Sequence, residues 1–202
     1  MSIKLFLGIL SIIPAVIAYY FYFGAMFVRR TKPHAFSWLI WGFLAANGFF
    51  AQVSAHAGVG AWTTGLTSIA SFTVFGFALK LGTTKATQSD KVLLTLALAS
   101  LVLLLVVRNK EAALCLTLVA LMAGFVMTIR KAYKKPREEN ATSFLLNTLK
   151  FVPAIAALSG FSFLTVAYPL VAACGNAAVV LVVYARNRQF VHSSSPRFQT
   201  GQ

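Results

Sequence analysis

Acidic residues are scarce in this sequence, since only 4 of its 202 residues are Asp or Glu. Charged residues of both signs make up 11% of the chain and hydrophobic residues make up 58%. In a typical soluble domain about a quarter of the residues are charged, because charge is needed to cover the surface in water. The composition therefore excludes an ordinary soluble domain and indicates a protein that is dissolved in lipid.

The shortage of carboxylates and thiols also excludes most catalytic and metal sites. The 4 acidic residues are spread over several loops, which does not assemble a two-metal site. The sequence contains no Walker A loop, no zinc-ligand spacing and no nucleophile elbow. Its two cysteines, Cys115 and Cys174, lie inside apolar runs, and we interpret them as small buried hydrophobic residues. We therefore predict neither an enzyme nor a cofactor.

Long uncharged runs predict an all-α integral membrane protein. A membrane-spanning helix needs about 20 apolar residues. Two of the runs are too long for one helix, and each breaks at a natural turn. The predicted helices are 4–27, 36–54, 60–80, 91–108, 112–130, 143–162 and 166–185.

The basic residues predict how these helices are oriented. The net charge is +14, but Lys and Arg cluster at the ends of apolar runs, which is typical of membrane topology signals and not of a nucleic-acid-binding face. With the N-terminus outside and the C-terminus in the cytosol, 14 of the 18 basic residues fall on the cytosolic side. These are Arg29, Arg30, Lys32, Lys80, Lys85, Lys91, Arg130, Lys131, Lys134, Lys135, Arg137, Arg186, Arg188 and Arg197. Because loss or gain of one helix would scramble this division, the charges support seven spans. They place the chain in the cell membrane or an inner membrane.

The order of features repeats along the chain. A shift of 106 residues, without a gap, superimposes helices 1–3 on helices 5–7. In both halves a helix is followed by a basic loop, the pattern Ala-x-Ser, a second helix, an uncharged turn and a third helix with a basic end. Helix 4 returns the chain across the membrane, so the two repeats are parallel. The predicted divisions are a first three-helix repeat (1–82), a linker helix (83–110), a second three-helix repeat (111–188) and a disordered cytosolic tail (189–202).

Two segments carry a resemblance to a known family. They are residues 22–38, with the basic loop and Ala35-Phe36-Ser37, and residues 128–136, followed by Ala141-Thr142-Ser143. On these residues and on its architecture the chain resembles the PQ-loop and SWEET-like seven-helix transporters. The resemblance implies two parallel three-helix bundles joined by a linker helix. It also implies that Asn176 stands where such proteins carry a substrate-binding Asn in helix 7.

Polar residues inside the spans are the candidates for a solute site, because they are costly in lipid and mark pathways. Amides both donate and accept hydrogen bonds, so each candidate amide can bind solute hydroxyls or tie two helices together. Hydroxyls recur at helical spacing in helix 3, where a packing seam is the alternative to a cavity face. Lys150 is the only charge inside a predicted span, and it either snorkels to the interface or attracts an anion at the inner mouth of a cavity. The predicted substrate-binding residues are Asn176, Asn47, Ser68, Ser71, Gln52, Asn147 and Lys150.

These features together predict an uncoupled facilitator that moves a small polar solute by alternating access, and they favour a neutral, sugar-like solute. The absence of carboxylates from the predicted spans argues against proton coupling and against a cationic solute. The alternative is a receptor or assembly factor that has the same fold and transports nothing. The expected partners are the lipid bilayer and the solute, with no nucleic acid, and a homo-oligomer is compatible with the sequence.

Overall fold

The computed structural model describes residues 2–29, 31–136 and 139–193, and within these ranges it is entirely helical, without a β-strand. Seven α-helices and one 3-10 turn, Gly58–Ala61, form the described part of the chain. The helices are α1 (Ile3–Phe27), α2 (Ala35–Ser54), α3 (Trp62–Leu81), α4 (Gln88–Leu105), α5 (Lys110–Lys134), α6 (Ala141–Ala156) and α7 (Phe163–Ser193).

The predicted helices are confirmed in number and approximate position over the described residues. Six of the seven are long and apolar enough to cross a membrane. The exception is α6, whose 16 residues span about 24 Å at 1.5 Å per residue, whereas a bilayer core is about 30 Å thick. The last helix is longer than predicted, because α7 continues to Ser193, beyond the predicted start of a disordered tail at 189. Positions 194–202, Arg30, Arg137 and Glu138 lie outside the described residues.

Side-chain caps fix where the helices begin. The imidazole of His34 accepts from the Ser37 amide at the start of α2, and Asn140 accepts in the same way from Ser143 at the start of α6. Asn109 caps α5, and Thr87 forms a capping box with the third residue of α4. Each cap satisfies a backbone N–H that the first turn of a helix leaves unpaired.

Apolar side chains cover the outside of the helix bundle and polar ones are found inside it. Large hydrophobic residues along α1 are exposed, for example Phe6 at 51% and Ile13 at 50%. Hydroxyl and amide side chains are buried on the inner faces of α2 and α3. An apolar outer surface, with polar groups buried beside the hydrophobic core, is expected where the surrounding solvent is lipid, since polar groups find partners only in the interior. The chain therefore has the surface of a membrane protein.

The prediction that both cysteines are buried is wrong. Cys115 on α5 and Cys174 on α7 are exposed. Their position inside an apolar run indicated burial, but an apolar run in a membrane protein also has a face that points toward lipid, where a thiol is tolerated. Both are free thiols.

The helices contact one another in a regular order. Both α1 and α2 pack along α3, and in the same way α5 and α6 pack along α7. Between these two groups, α1 packs on α6 and α2 packs on α5 and α7. The remaining helix, α4, packs on α5 and α2.

Loops at the same end of the bundle contact each other. At one end the Ser159 amide donates to the Ala57 carbonyl at 2.9 Å, so the turn after α2 meets the turn after α6. The contact is close: a Cβ on Gly60 would lie 2.7 Å from the Ala154 oxygen and 2.8 Å from the Leu158 nitrogen. We call these two turns, residues 55–61 and 157–162, the outer turns, since the topology prediction places them outside. They close this end of the structure.

The opposite end carries most of the basic residues. There the loop between α1 and α2 pairs with the loop between α3 and α4, through hydrogen bonds of 2.9 Å between Ala35 and Thr83 and between Thr83 and Pro33. Arg186 near the end of α7 donates to the Tyr133 carbonyl near the end of α5 at 3.1 Å. The described basic residues that were predicted to be cytosolic lie in these loops and helix ends.

Candidate functional site

A lysine is fully buried where three helices meet. Lys150 of α6 is 0% exposed, and its Nζ donates to Thr67 Oγ1 of α3 at 2.9 Å. Since α6 spans Ala141–Ala156, Lys150 stands nine residues after the first residue of the helix and six before the last. Its amine points across to α3 and not toward a helix end. The structure thus disagrees with the interpretation that Lys150 snorkels to the membrane surface.

The surroundings of the Lys150 amine compensate its charge only in part. Nζ lies 5.6 Å from the centre of the Tyr19 ring and 5.0 Å from that of the Phe151 ring. Such cation–π contacts stabilise a desolvated cation by about 2 kcal/mol, whereas desolvation of the ion costs several kcal/mol. Among the described residues no carboxylate lies within ion-pair distance of the amine. A protonated Lys150 is therefore short of stabilising partners.

A row of hydroxyls lies beside the amine. Thr67 Oγ1, which accepts from Lys150, donates to the Thr63 carbonyl at 2.7 Å. Ser71 Oγ donates to the Thr67 carbonyl at 2.7 Å, and the Tyr19 hydroxyl of α1 faces both Thr67 and Ser71. We call Tyr19, Thr67, Ser71, Lys150 and Phe151 the Lys150 cluster. It offers a cation, hydroxyl groups and ring faces within one small volume.

Aromatic rings extend the cluster along α1 and α2. The Trp38 ring lies 6.4 Å from the Tyr19 ring and 4.8 Å from the Tyr22 ring, and its Nε1 donates to the Tyr22 hydroxyl at 3.0 Å. Trp38 is half-buried between the helices. It therefore holds the ends of α1 and α2 together at this point of the bundle.

Another ring closes the cluster on the side of α7. Tyr168 is buried, with its ring edge-on to Phe151 at 6.4 Å. It reaches α2 at Gly48, where an added Cβ would overlap the Tyr168 ring. Only glycine allows this approach, so Gly48 lets the tyrosine pass between α2 and α6.

Two of the predicted binding amides bond their own helix. Asn176 Nδ2 donates to the Ala172 carbonyl at 2.7 Å, and Asn147 Nδ2 donates to the Ser143 carbonyl at 2.9 Å. Both bonds run one turn back along the helix. They leave the amide oxygens able to accept from another group, but neither residue belongs to the Lys150 cluster.

The two amides of α2 cross to other helices. Asn47 Nδ2 donates to the Ala97 carbonyl and to Ser100 Oγ of α4, both at 3.1 Å. Gln52 Nε2 donates to the Thr165 carbonyl near the start of α7 at 2.9 Å. Within the described residues the side-chain oxygens of both amides are buried without a partner. These amides tie α2 to α4 and to α7, which is the alternative interpretation of their sequence pattern.

The structure does not bring the predicted site residues together in one place. Lys150 and Ser71 belong to the same cluster, and Asn147 lies one turn before Lys150 on α6. Ser68 Oγ instead donates to the Gly42 carbonyl of α2 at 3.0 Å, so the hydroxyl row of α3 divides between two neighbouring helices. Three residues of the cluster, Tyr19, Thr67 and Phe151, were missing from the prediction. Thr67 is part of the hydroxyl row, but Tyr19 has no sequence signal, because its role depends on how α1 packs against α6.

The equivalent position in the other half of the chain is apolar. A shift of 106 residues pairs Tyr19, Thr67 and Lys150 with Phe125, Ala173 and Leu44, respectively. These three counterparts are buried in one continuous hydrophobic core. The polar cluster is therefore present once and not twice, even though the helices around the two places are arranged alike.

No protein-family model matches this chain, and neither do any curated proteins or solved structures. The resemblance to PQ-loop and SWEET-like transporters therefore stays a prediction from the sequence.

Proposed function

We propose that this protein is a membrane carrier that moves a small polar solute by alternating access. In this proposal α1–α3 and α5–α7 are two parallel three-helix bundles, α4 is the linker, and the solute binds between the bundles. The observation that carries the proposal is the position of the Lys150 cluster. Its amine comes from α6 of the second bundle, and its hydroxyls come from α1 and α3 of the first.

The packing order of the helices supports the two bundles. In each group the third helix lies between the first and the second. The contacts between groups are also related, since α1 on α6 in one direction corresponds to α5 on α2 in the other. An arrangement of this kind lets one bundle rock against the other around a site at their interface.

Equivalent helix caps are further support for the repeat. His34 and Asn140 are related by the shift of 106 residues, and so are the serines that donate to them, Ser37 and Ser143. The side chains differ, but the same local device begins the second helix of each bundle. This match is evidence for the repeat that shared apolar composition alone does not supply.

The outer turns supply a gate for the proposed cycle. They are in close contact in this structure, with Gly60 against Ala154 and Leu158. An outward-open state requires these turns to separate, after which the solute reaches the Lys150 cluster from outside. The facilitator is proposed to be uncoupled, because the three described acidic residues, Asp90, Glu111 and Glu139, stand at helix starts or in a loop.

Counterflow in proteoliposomes tests this function. Purified protein is reconstituted into vesicles loaded with unlabelled glucose, alanine or lactate, and the uptake of the same labelled solute is followed, with protein-free vesicles as the control. A carrier exchanges at least one of these solutes, and collapsing a pH gradient leaves the initial rate unchanged. If no solute exchanges, the protein is better described as a receptor or assembly factor. A several-fold fall in rate without the gradient contradicts the uncoupled mechanism.

A further inference from the structure

We propose that the transported solute is a small monocarboxylate whose carboxylate binds the ammonium of Lys150. This inference rests on the proposed carrier function, and it replaces the preference for a neutral sugar. The sequence alone left open whether Lys150 meets the solute or the membrane surface. Its complete burial between α1, α3 and α6 favours contact with the solute over contact with the membrane surface.

The amine has more hydrogen-bonding capacity than the protein uses. An ammonium group has three N–H donors, and the structure gives Nζ one hydrogen bond, to Thr67 Oγ1 at 2.9 Å. Within the described chain its other neighbours are the Tyr19 and Phe151 rings, and no acidic side chain reaches it. Buried charges in proteins are almost always paired. A carboxylate from the solute supplies the missing partner.

The neighbouring groups favour a carboxylate over larger anions. A phosphate group carries more charge and is usually held by several donors, often including arginine. Here there is one ammonium, bonded to Thr67 Oγ1, and the hydroxyls of Tyr19 and Ser71 lie next to Thr67. These groups suit one negative charge and one or two further polar atoms. The Phe151 ring suits a short carbon chain.

The amine also lies where a carrier needs its solute. Lys150 belongs to α6, and the Thr67 that holds it belongs to α3. A carboxylate bound to Nζ therefore contacts both halves of the proposed repeat. In the equivalent place of the other interface the buried residues are Leu44, Phe125 and Ala173, which offer no charge. Of these two equivalent places among the described residues, only the one at Lys150 offers a positive charge to an anion.

Ligand-dependent thermal stability of the detergent-solubilised protein tests the site. The probes are lactate and lactamide, which differ only in that lactate has a carboxylate where lactamide has a neutral amide. Acetate and butyrate test shorter and longer carbon chains. We expect lactate to raise the melting temperature of the wild type and lactamide to leave it unchanged. Lys150→Met should weaken lactate binding by about ten- to a hundredfold, because hydrogen bonds to charged groups are among the strong ones.

Lys85→Met is the matched control, because Lys85 is an exposed lysine in the loop before α4. This variant should keep the full lactate response. Thr67→Val retains the lysine but removes its hydroxyl partner, and it should keep a reduced response that Lys150→Met lacks. The inference is overturned if no monocarboxylate stabilises the wild type, if lactamide acts as well as lactate, or if Lys150→Met keeps the lactate response.

Transport separates the failure of this inference from the failure of the carrier proposal. If lactate binding needs Lys150 but lactate shows no counterflow, the anion site stands and the carrier function fails. If a neutral solute exchanges and Lys150→Met leaves its rate unchanged, the carrier function stands and the anion inference fails. If the carrier proposal and the anion inference both hold, uptake of lactate moves net charge into the vesicle. An inside-positive potassium diffusion potential then accelerates this uptake.

Discussion

Lys150→Met replaces a buried ammonium with an apolar side chain of similar length. Because the ion has lost its hydration and has no carboxylate partner among the described residues, its removal should leave the folded protein at least as stable as the wild type. The stability of the variant is compared with that of the wild type by measuring the free energy of unfolding of both proteins in mixed micelles. A loss of about 3 kcal/mol or more would show that Lys150 is half of a structural pair.

The two buried asparagines of α2 and α7 should respond differently to truncation. Asn47→Ala removes an amide that joins α2 to α4, and such interhelical bonds in membranes contribute about 0.6 kcal/mol on average and up to about 1.7 kcal/mol. Asn176→Ala removes a bond within α7 only, so it should cost less. Thermal unfolding of the two variants side by side checks the order. The reverse order would mean that Asn176 binds a partner helix or a solute through its oxygen.

At the residue scale the sequence indicated which side chains are polar in an apolar setting, but not where each one points. Lys150 stood out because it is the only charge in a predicted span. Tyr19 did not, because aromatic residues are common in membrane helices. Ser68 and Ser71 are three residues apart on one helix and were expected to act together, yet Ser68 bonds α2 and Ser71 lies in the Lys150 cluster. Such assignments need the rotation of each helix, which periodicity alone leaves open.

At the scale of elements, Gly60 tests how tightly the outer turns must close. In Gly60→Ala the new methyl group would lie 2.7 Å from the Ala154 oxygen, which forces the turns apart. Gly160→Ala is the matched control in the other outer turn, since nothing lies within 4 Å of its added Cβ. Ala157 is buried in the outer turns, so in a variant without the native cysteines a thiol at position 157 should react faster with a polar maleimide in Gly60→Ala than in Gly160→Ala. Equal rates would mean that the outer turns are already open in the membrane.

The ends of the helices were predictable where a cap marks them. The Ala-x-Ser patterns located the starts of α2 and α6 to within two residues of Ala35 and Ala141. The start of α7 was also close, but its end was not, because the predicted boundary followed the loss of hydropathy and α7 continues to Ser193. The outer end of α6 was also placed too far along the chain. Residues 157–162 are apolar enough for a helix, but there the chain turns to pack against Ala57 and Gly60.

At the scale of the whole molecule, thiol labelling in intact cells tests the orientation. In a variant whose two native cysteines are replaced by Ala, a single cysteine at position 58 should react with a membrane-impermeant reagent added outside. Single cysteines at positions 85 and 135 should react only after the membrane is permeabilised. All three positions are exposed in the structure, so lack of reaction reports the side of the membrane. Outside labelling at position 135 would contradict the seven-span topology.

The most direct test of the proposed carrier function is to measure counterflow in a protein whose outer turns are cross-linked. A Cβ at position 58 would lie 3.3 Å from the Cβ of Ser159, close to the separation found in disulfides, so cysteines at these positions, in the variant without native cysteines, should form a disulfide on oxidation. If solute reaches its site by separation of the outer turns, oxidation should reduce counterflow to the level of protein-free vesicles. A reducing agent should then restore it, and oxidation should not affect either single-cysteine variant. Full counterflow through the cross-linked protein would contradict alternating access between the two bundles.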